Sequence, residues 1–392
     1  MASCWQVTEN QGFLITPEPV TDPLPFLSNS VHSAVSEIMD IAGNLSLLIA
    51  DGRCRKACLE LPIPNFSGSD VILDERAAER LHQVYAFLSN GYLWEPGKEP
   101  TQQLPSTLAI PFVQLSAQVK RPPTLSYTNT QLTNWRRLDP AGDISVENIK
   151  AVQMFQSLPD EEWFWVLHIV IEARGAPAVV AGTRLVEASK LNDIDQIKRQ
   201  LEIIHYGLET IIELAGRMEE GCRPEVYYET LRPFLFAHPD GVVFDGVQAF
   251  GGKPQTFLGQ TGAQSALIPS ICASLGLRNE RSELTSYLEA VRAYMPEPHR
   301  KFVAGLDGQA VRDCVSSTES EGTVRALYNS CVQKVVEFRR LHLVLAANYI
   351  ASRMDNPRGT GGTDFMRWLK HMTRETTEQL IYLGESDSPS LN

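Results

Sequence analysis

The chain has no run of about 18 uninterrupted apolar residues, the length a membrane-crossing helix needs. Its first residues, Met1-Ala2-Ser3-Cys4-Trp5, lack a basic stretch followed by an apolar core, so no secretory signal is visible and a cytoplasmic location is expected. Basic charge is also scarce. The 35 Lys and Arg face 47 Asp and Glu, a formal net charge of −12, which argues against nucleic acid or an anionic membrane surface as a partner. The seven cysteines are odd in number and follow no framework spacing, which fits free thiols rather than a disulfide scaffold. Cys54 and Cys58 lie one helical turn apart, but no second Cys/His pair stands near enough to complete a zinc site. Without a Cys-x-x-Cys-His motif, covalent haem attachment of the c type is excluded. No P-loop, Gly-x-Ser-x-Gly elbow or His-Glu-x-x-His motif is present, which disfavours the common kinase and hydrolase classes.

What is present is an ordinary globular composition, 43% apolar and 21% charged over 392 residues. That length suits one large helical domain or two packed domains. Apolar residues recur three and four apart over 30–50, 73–90, 160–189, 193–219, 283–294, 319–353 and 363–382, which predicts helices there. Thr318-Glu319-Ser320-Glu321 has the spacing of a capping box at the start of the longest one. Residues 91–145 carry prolines at 96, 100, 105, 111, 122, 123 and 140, which predicts irregular chain without long helices. Gly241-Val242-Val243-Phe244-Asp245 is the best strand candidate, as a short hairpin arm. The expected fold class is mainly α.

Of eight histidines, His32, His82, His205 and His371 occur singly among charged residues and read as surface side chains, while His238 and His299 sit beside prolines as turn residues. His168, in Trp163-Phe164-Trp165-Val166-Leu167-His168-Ile169-Val170, and His342, in Leu341-His342-Leu343-Val344-Leu345, are surrounded by apolar residues. A buried imidazole needs a partner, so each is either a hydrogen-bonded core histidine or a ligand. Arg339, one turn before His342, would place a cation near an anionic group such as a haem propionate. Two loops, Gly259-Gln260-Thr261-Gly262-Ala263-Gln264-Ser265 and Arg358-Gly359-Thr360-Gly361-Gly362-Thr363-Asp364, precede expected helices. They are simple connectors or places where backbone amides approach a ligand.

Taken together, these residues resemble the indoleamine 2,3-dioxygenase family of haem enzymes over nearly the whole chain. The resemblance rests on Ala109-Ile110-Pro111-Phe112-Val113-Gln114-Leu115-Ser116, Asn134-Trp135-Arg136-Arg137-Leu138-Asp139-Pro140, Ala293-Tyr294-Met295-Pro296-Glu297-Pro298-His299-Arg300, the Gly361-Gly362-Thr363-Asp364 loop and the His342 helix, in that order. It implies a smaller amino-terminal α domain with its connecting segment, 1–150, packed over the distal side of a large all-helical haem-binding domain, 151–392, in a chain that works as a monomer. It also implies haem b, with His342 as the iron ligand and Arg339 near a propionate. Gln260, Thr261 and Gly262 would line the haem edge.

For the substrate, the resemblance implies an aromatic wall of Tyr127, Phe164 and Tyr227. Arg232 would grip the amino acid carboxylate, a role that suits a guanidinium fork, and Thr360 would meet the ammonium group. The implied reaction uses O₂ to open the indole C2–C3 bond of L-tryptophan, giving N-formylkynurenine as in tryptophan catabolism by the kynurenine pathway. Haem-dependent mono-oxygenation or rearrangement of a related indole in secondary metabolism, and a haem or tryptophan sensor without turnover, are the alternatives.

Three departures from the animal enzymes of the family stand out. His168 occupies the position of a distal serine, similar to the histidine that the separate tryptophan 2,3-dioxygenase family sets against the indole N–H. A neutral His168 would accept that bond and orient the ring, which makes it the catalytic-site candidate. Tyr227 replaces the usual phenylalanine and adds a hydroxyl. Cys272 replaces an acidic residue on the proximal side.

Overall fold

The computed structural model describes residues 3–68, 70–317, 322–353 and 365–382. Thr360, the loop from Gly361 to Asp364 and the Thr318–Glu321 capping box lie outside them. Among the described residues the elements are mostly helices, joined by turns and by longer irregular segments, with two sheets of two short strands each. The mainly α expectation holds.

The helices of eight residues or more run, in chain order, α1 Asn29–Gly43, α2 Glu75–Leu93, α3 Ser106–Val119, α4 Pro159–Arg174, α5 Ala176–Lys190 and α6 Ile194–Gly216. They continue with α7 Leu267–Ser274, α8 Glu283–Val291, α9 Glu297–Gly305, α10 Gln309–Ser316, α11 Gly322–Tyr349 and α12 Phe365–Thr377. α2 is the core of the amino-terminal half, buried almost all round, and its start is capped by Asp74, whose side chain accepts from the Arg76 N–H. In the second half α5, α6, α11 and α12 pack in succession, α5 on α6, α6 on α11 and α11 on α12.

The expected helix over 160–189 is two helices. Gly175 separates them, and Pro177, in the first turn of α5, has no N–H to continue the α4 hydrogen-bond ladder. A Cβ on Gly175 would stand 2.7 Å from Leu267 Cδ1, so a larger residue here would push the Leu267 side chain of α7 aside. The stretch Pro159–Lys190 is long and apolar enough to cross a membrane by length and composition, yet 67% of its most apolar window is buried inside the protein.

The proline-rich segment departs from expectation. α3 forms over 106–119 with Pro111 in its interior. An interior proline costs about 3 kcal/mol, but Leu108, Phe112 and Leu115 are fully buried, at about 1.5–3 kcal/mol each, so burial outweighs the lost backbone bond. His82 is likewise not a surface residue. It is completely buried on α2, where Asn129 Nδ2 donates to Nδ1 at 2.9 Å and Nε2 meets Ser116 Oγ at 3.2 Å, joining α2, α3 and the 128–132 turn. Burial, with Arg121 nearby, holds its pKa well below the ordinary histidine value. His299 is buried within the first turns of α9, with Trp5 and Phe13 packed edge-on against its ring. The Gly241–Asp245 segment is a parallel partner of Gln103–Leu104 through Val243 and Phe244, and touches Gln255 only by a single antiparallel bridge.

Candidate active site

Two helices from different parts of the fold supply the two candidate histidines, His168 and His342. α4 starts with Pro159 and carries Asp160, Glu161 and Glu162 in its first turn, where the helix dipole favours acidic side chains. It brings Phe164, His168 and Glu172 round at one-turn intervals. α11 carries Arg339 and His342 one turn apart.

The His342 side chain is exposed by area, yet the protein around it desolvates the ring and, with His168 nearby, holds its pKa down to about 4. The ring is therefore reachable by a small molecule while protein lies close around it. No hydrogen bond engages the His342 imidazole among the described residues. It is a neutral nitrogen base with no hydrogen-bond partner among the described residues, and His168 lies close enough to act on it electrostatically.

His168 is held differently. Its Nδ1 lies 2.7 Å from the Phe164 carbonyl oxygen. A carbonyl only accepts, so Nδ1 carries the proton and Nε2 is left with a lone pair. Burial lowers its pKa below the ordinary value, against a smaller opposing effect of the Phe164 bond, which keeps the ring neutral. The rings continue from there as a wall, with centroids 4.6 Å apart for His168 and Phe164, 4.9 Å for Phe164 and Tyr227, and 5.6 Å for Tyr227 and Tyr349. Tyr127 closes the other side of His168, edge-on at 6.4 Å. Arg232 follows Tyr227 by one π-helical turn, with its guanidinium over the Phe236 ring at 4.5 Å and the Tyr228 ring at 5.2 Å.

Sequence reasoning missed the group behind this wall. Tyr127 Oη donates to Glu172 Oε1 at 2.9 Å, Ser265 Oγ donates to the same oxygen at 2.5 Å, and the Tyr127 N–H donates to Gln264 Oε1 at 2.9 Å. Glu172 thus ties α4, the Tyr127 turn and the Gly259–Ser265 loop together. Burial pushes its carboxyl up to about 7, and Oε2 is buried without a partner among the described residues. The available signal was a lone carboxylate in the apolar run Trp165–Ala173, one turn after His168.

The other expected site residues are placed less simply. Gln260 turns inward, its amide donating to Thr130 Oγ1 at 3.2 Å and Gln131 Oε1 at 3.3 Å. Thr261 caps the short turn from Gly262 to Gln264, and Gly262 is exposed. Arg339, expected near a propionate, directs its guanidinium to α12, where Nη1 bonds the Met372 carbonyl at 2.6 Å and Thr376 Oγ1. Nη2 stands 3.8 Å from Cys272 Sγ. A propionate would have to share this arginine.

A family model described as indoleamine 2,3-dioxygenase matches residues 1–356. The chain belongs to the indoleamine 2,3-dioxygenase family. It is therefore an oxidoreductase of the haem-dependent dioxygenase class. Indoleamine 2,3-dioxygenase 1 of Mus musculus is 28% identical to it over 96% of this chain and 94% of its own. An indoleamine 2,3-dioxygenase of Penicillium citrinum is 30% identical over 86% and 80%. A 6-hydroxytryptophan 2,3-dioxygenase of Fusarium equiseti is 26% identical over 96% and 97%.

The residues of this dioxygenase fit a haem. Among the described residues no group of three or more His, Cys, Asp or Glu is placed to hold a bare metal ion. A single neutral imidazole with no hydrogen-bond partner among the described residues suits instead a haem, for which His342 would be the protein residue that holds the iron.

Proposed function

We propose that this dioxygenase uses O₂ to open the indole C2–C3 bond of L-tryptophan, giving N-formylkynurenine, with haem b held by His342. The observations that support the reading are a desolvated His342 with no hydrogen-bond partner among the described residues, a His168 close enough to act on it electrostatically and with Nε2 free to accept, and the ring series through Phe164 and Tyr227 that leads to Arg232. The haem, when bound, supplies the iron chemistry that activates dioxygen. The protein does the rest by placement. His168 Nε2 takes the indole N–H and fixes the ring plane, and Phe164 and Tyr227 pack its face. Arg232 grips the carboxylate, and Thr360 meets the ammonium group. Tyr127 brings the amino-terminal domain, residues 1–150, to the same pocket, so that the substrate lies between the two domains of a monomer working in the cytoplasm. Enclosure keeps bulk water from the reacting ring.

A second reading is oxidation of a tryptophan-derived indole other than tryptophan, by dioxygenation, mono-oxygenation or rearrangement. The named substrate of the Fusarium equiseti relative, 6-hydroxytryptophan, favours keeping it. Purified holoenzyme given L-tryptophan under ¹⁸O₂ and analysed by mass spectrometry separates the two. N-formylkynurenine carrying two labelled atoms supports the proposal. A single labelled atom, or no N-formylkynurenine, overturns it.

A further inference from the structure

We propose that the Tyr227 hydroxyl is a second hydrogen-bond donor to the substrate carboxylate, beside Arg232, and so a specificity residue for amino acids over simple indole amines. The inference rests on the tryptophan reading above and deepens it.

The local backbone pairs the two side chains. Tyr227–Leu231 is a π-helical turn, and the Arg232 N–H donates to the Tyr227 carbonyl five residues back. A π turn has more than four residues per turn, so side chains five apart emerge on one face, and such turns recur at functional sites. Tyr227 and Arg232 act on each other electrostatically, as expected of groups brought to one place.

The order of rings along the wall places the hydroxyl at one end of a substrate. Phe164 stands between His168 and Tyr227. With the indole N–H at His168 and the ring on Phe164, Tyr227 lies on the amino acid side, next to Arg232. Ring contacts with Phe164 and Tyr349 fix its plane.

The hydroxyl itself is available. It has no hydrogen-bond partner among the described residues, and it is not one of the polar atoms sealed unpartnered in the core. Compare Tyr349, whose hydroxyl is taken by the Cys222 carbonyl, and Tyr127, whose hydroxyl is taken by Glu172. Burial raises the Tyr227 pKa to about 12 against the opposing Arg232 charge, so it is a neutral O–H donor across the working pH range. A carboxylate with two oxygens can take the guanidinium on one and the phenol on the other.

The test compares the wild-type holoenzyme with Tyr227→Phe, a change that keeps the ring. Binding of L-tryptophan and of tryptamine, which has the same indole and ammonium but no carboxylate, is measured by isothermal titration calorimetry. The expected result is about a tenfold loss of L-tryptophan affinity in the variant, the scale of one hydrogen bond to a charged group, with tryptamine affinity unchanged. An equal loss for both ligands, or no loss for either, overturns the role of Tyr227 while leaving the substrate reading intact. Failure of the wild type to bind L-tryptophan overturns the substrate reading and this inference with it.

Discussion

His168 gives its Nδ1 proton to the Phe164 carbonyl at 2.7 Å, one turn earlier on the same helix. This bond fixes the tautomer and leaves Nε2 with a free lone pair. The account predicts that His168→Ala lowers kcat/KM for L-tryptophan about tenfold, the worth of one hydrogen bond. An N1-methylated tryptophan, which has no N–H to donate, is used equally poorly by both proteins. Since burial lowers the His168 pKa, the acceptor persists below the ordinary histidine range, and the acid limb of kcat/KM falls at a pH under about 6.5. Equal loss on both substrates in the variant would contradict the role.

Glu172 predicts a pH dependence of stability. Its folded carboxyl holds a proton up to about 7, against an ordinary value of 4.5. The native state therefore binds the proton more tightly than the unfolded chain. The resulting stability is complete below about 4.5 and is lost as the pH rises through about 7, a change on the order of 3 kcal/mol. Glu172→Gln keeps an acceptor for Tyr127 and Ser265 and cannot ionise. Urea unfolding at pH 5 and pH 8 is expected to show wild type losing stability relative to the variant, whereas parallel profiles would exclude a buried protonated carboxyl.

The crossing of α5 and α6 predicts an unusual glycine effect. A Cβ on Gly207 would come 2.7 Å from Ala178 Cβ, while Gly216 on the same helix has nothing within 4 Å. Alanine is favoured over glycine in a helix by about 1 kcal/mol, but overpacking a tight contact costs about 1–3 kcal/mol. Gly207→Ala is expected to destabilise by about 1 kcal/mol and Gly216→Ala to be neutral or stabilising, by the difference in denaturant midpoint. The reverse order would mean that the helices part easily.

Residue patterns carried much of this molecule. The periodicity of α6 and α11 located both helices to within a few residues, and an imidazole amid leucines and valines marked His342. Other features depend on packing between segments far apart in sequence. Pro111 argued against a helix because propensity is local, whereas the apolar face that rescues α3 is satisfied by packing, mainly on α2. His82 looked exposed because its neighbours in sequence are charged, yet Glu79 and Arg80 are themselves buried and paired, Glu79 with Trp5 and Arg121 and Arg80 with Gln83. Glu172 gains its role only where the Tyr127 turn and the Ser265 loop converge. The direction of Arg339, to Met372 and Thr376 of α12, was equally invisible to helical spacing.

The assignment on which the rest depends is His342 as the residue that holds the haem. Haem-free protein titrated with haem and followed by absorbance measures it directly, comparing wild type with His342→Gly, with and without added imidazole. The account predicts one haem per chain in the wild type, loss of stable binding in the variant, and recovery of the bound spectrum when imidazole refills the vacated position. Full haem occupancy in His342→Gly without imidazole, with an unchanged spectrum, would contradict it.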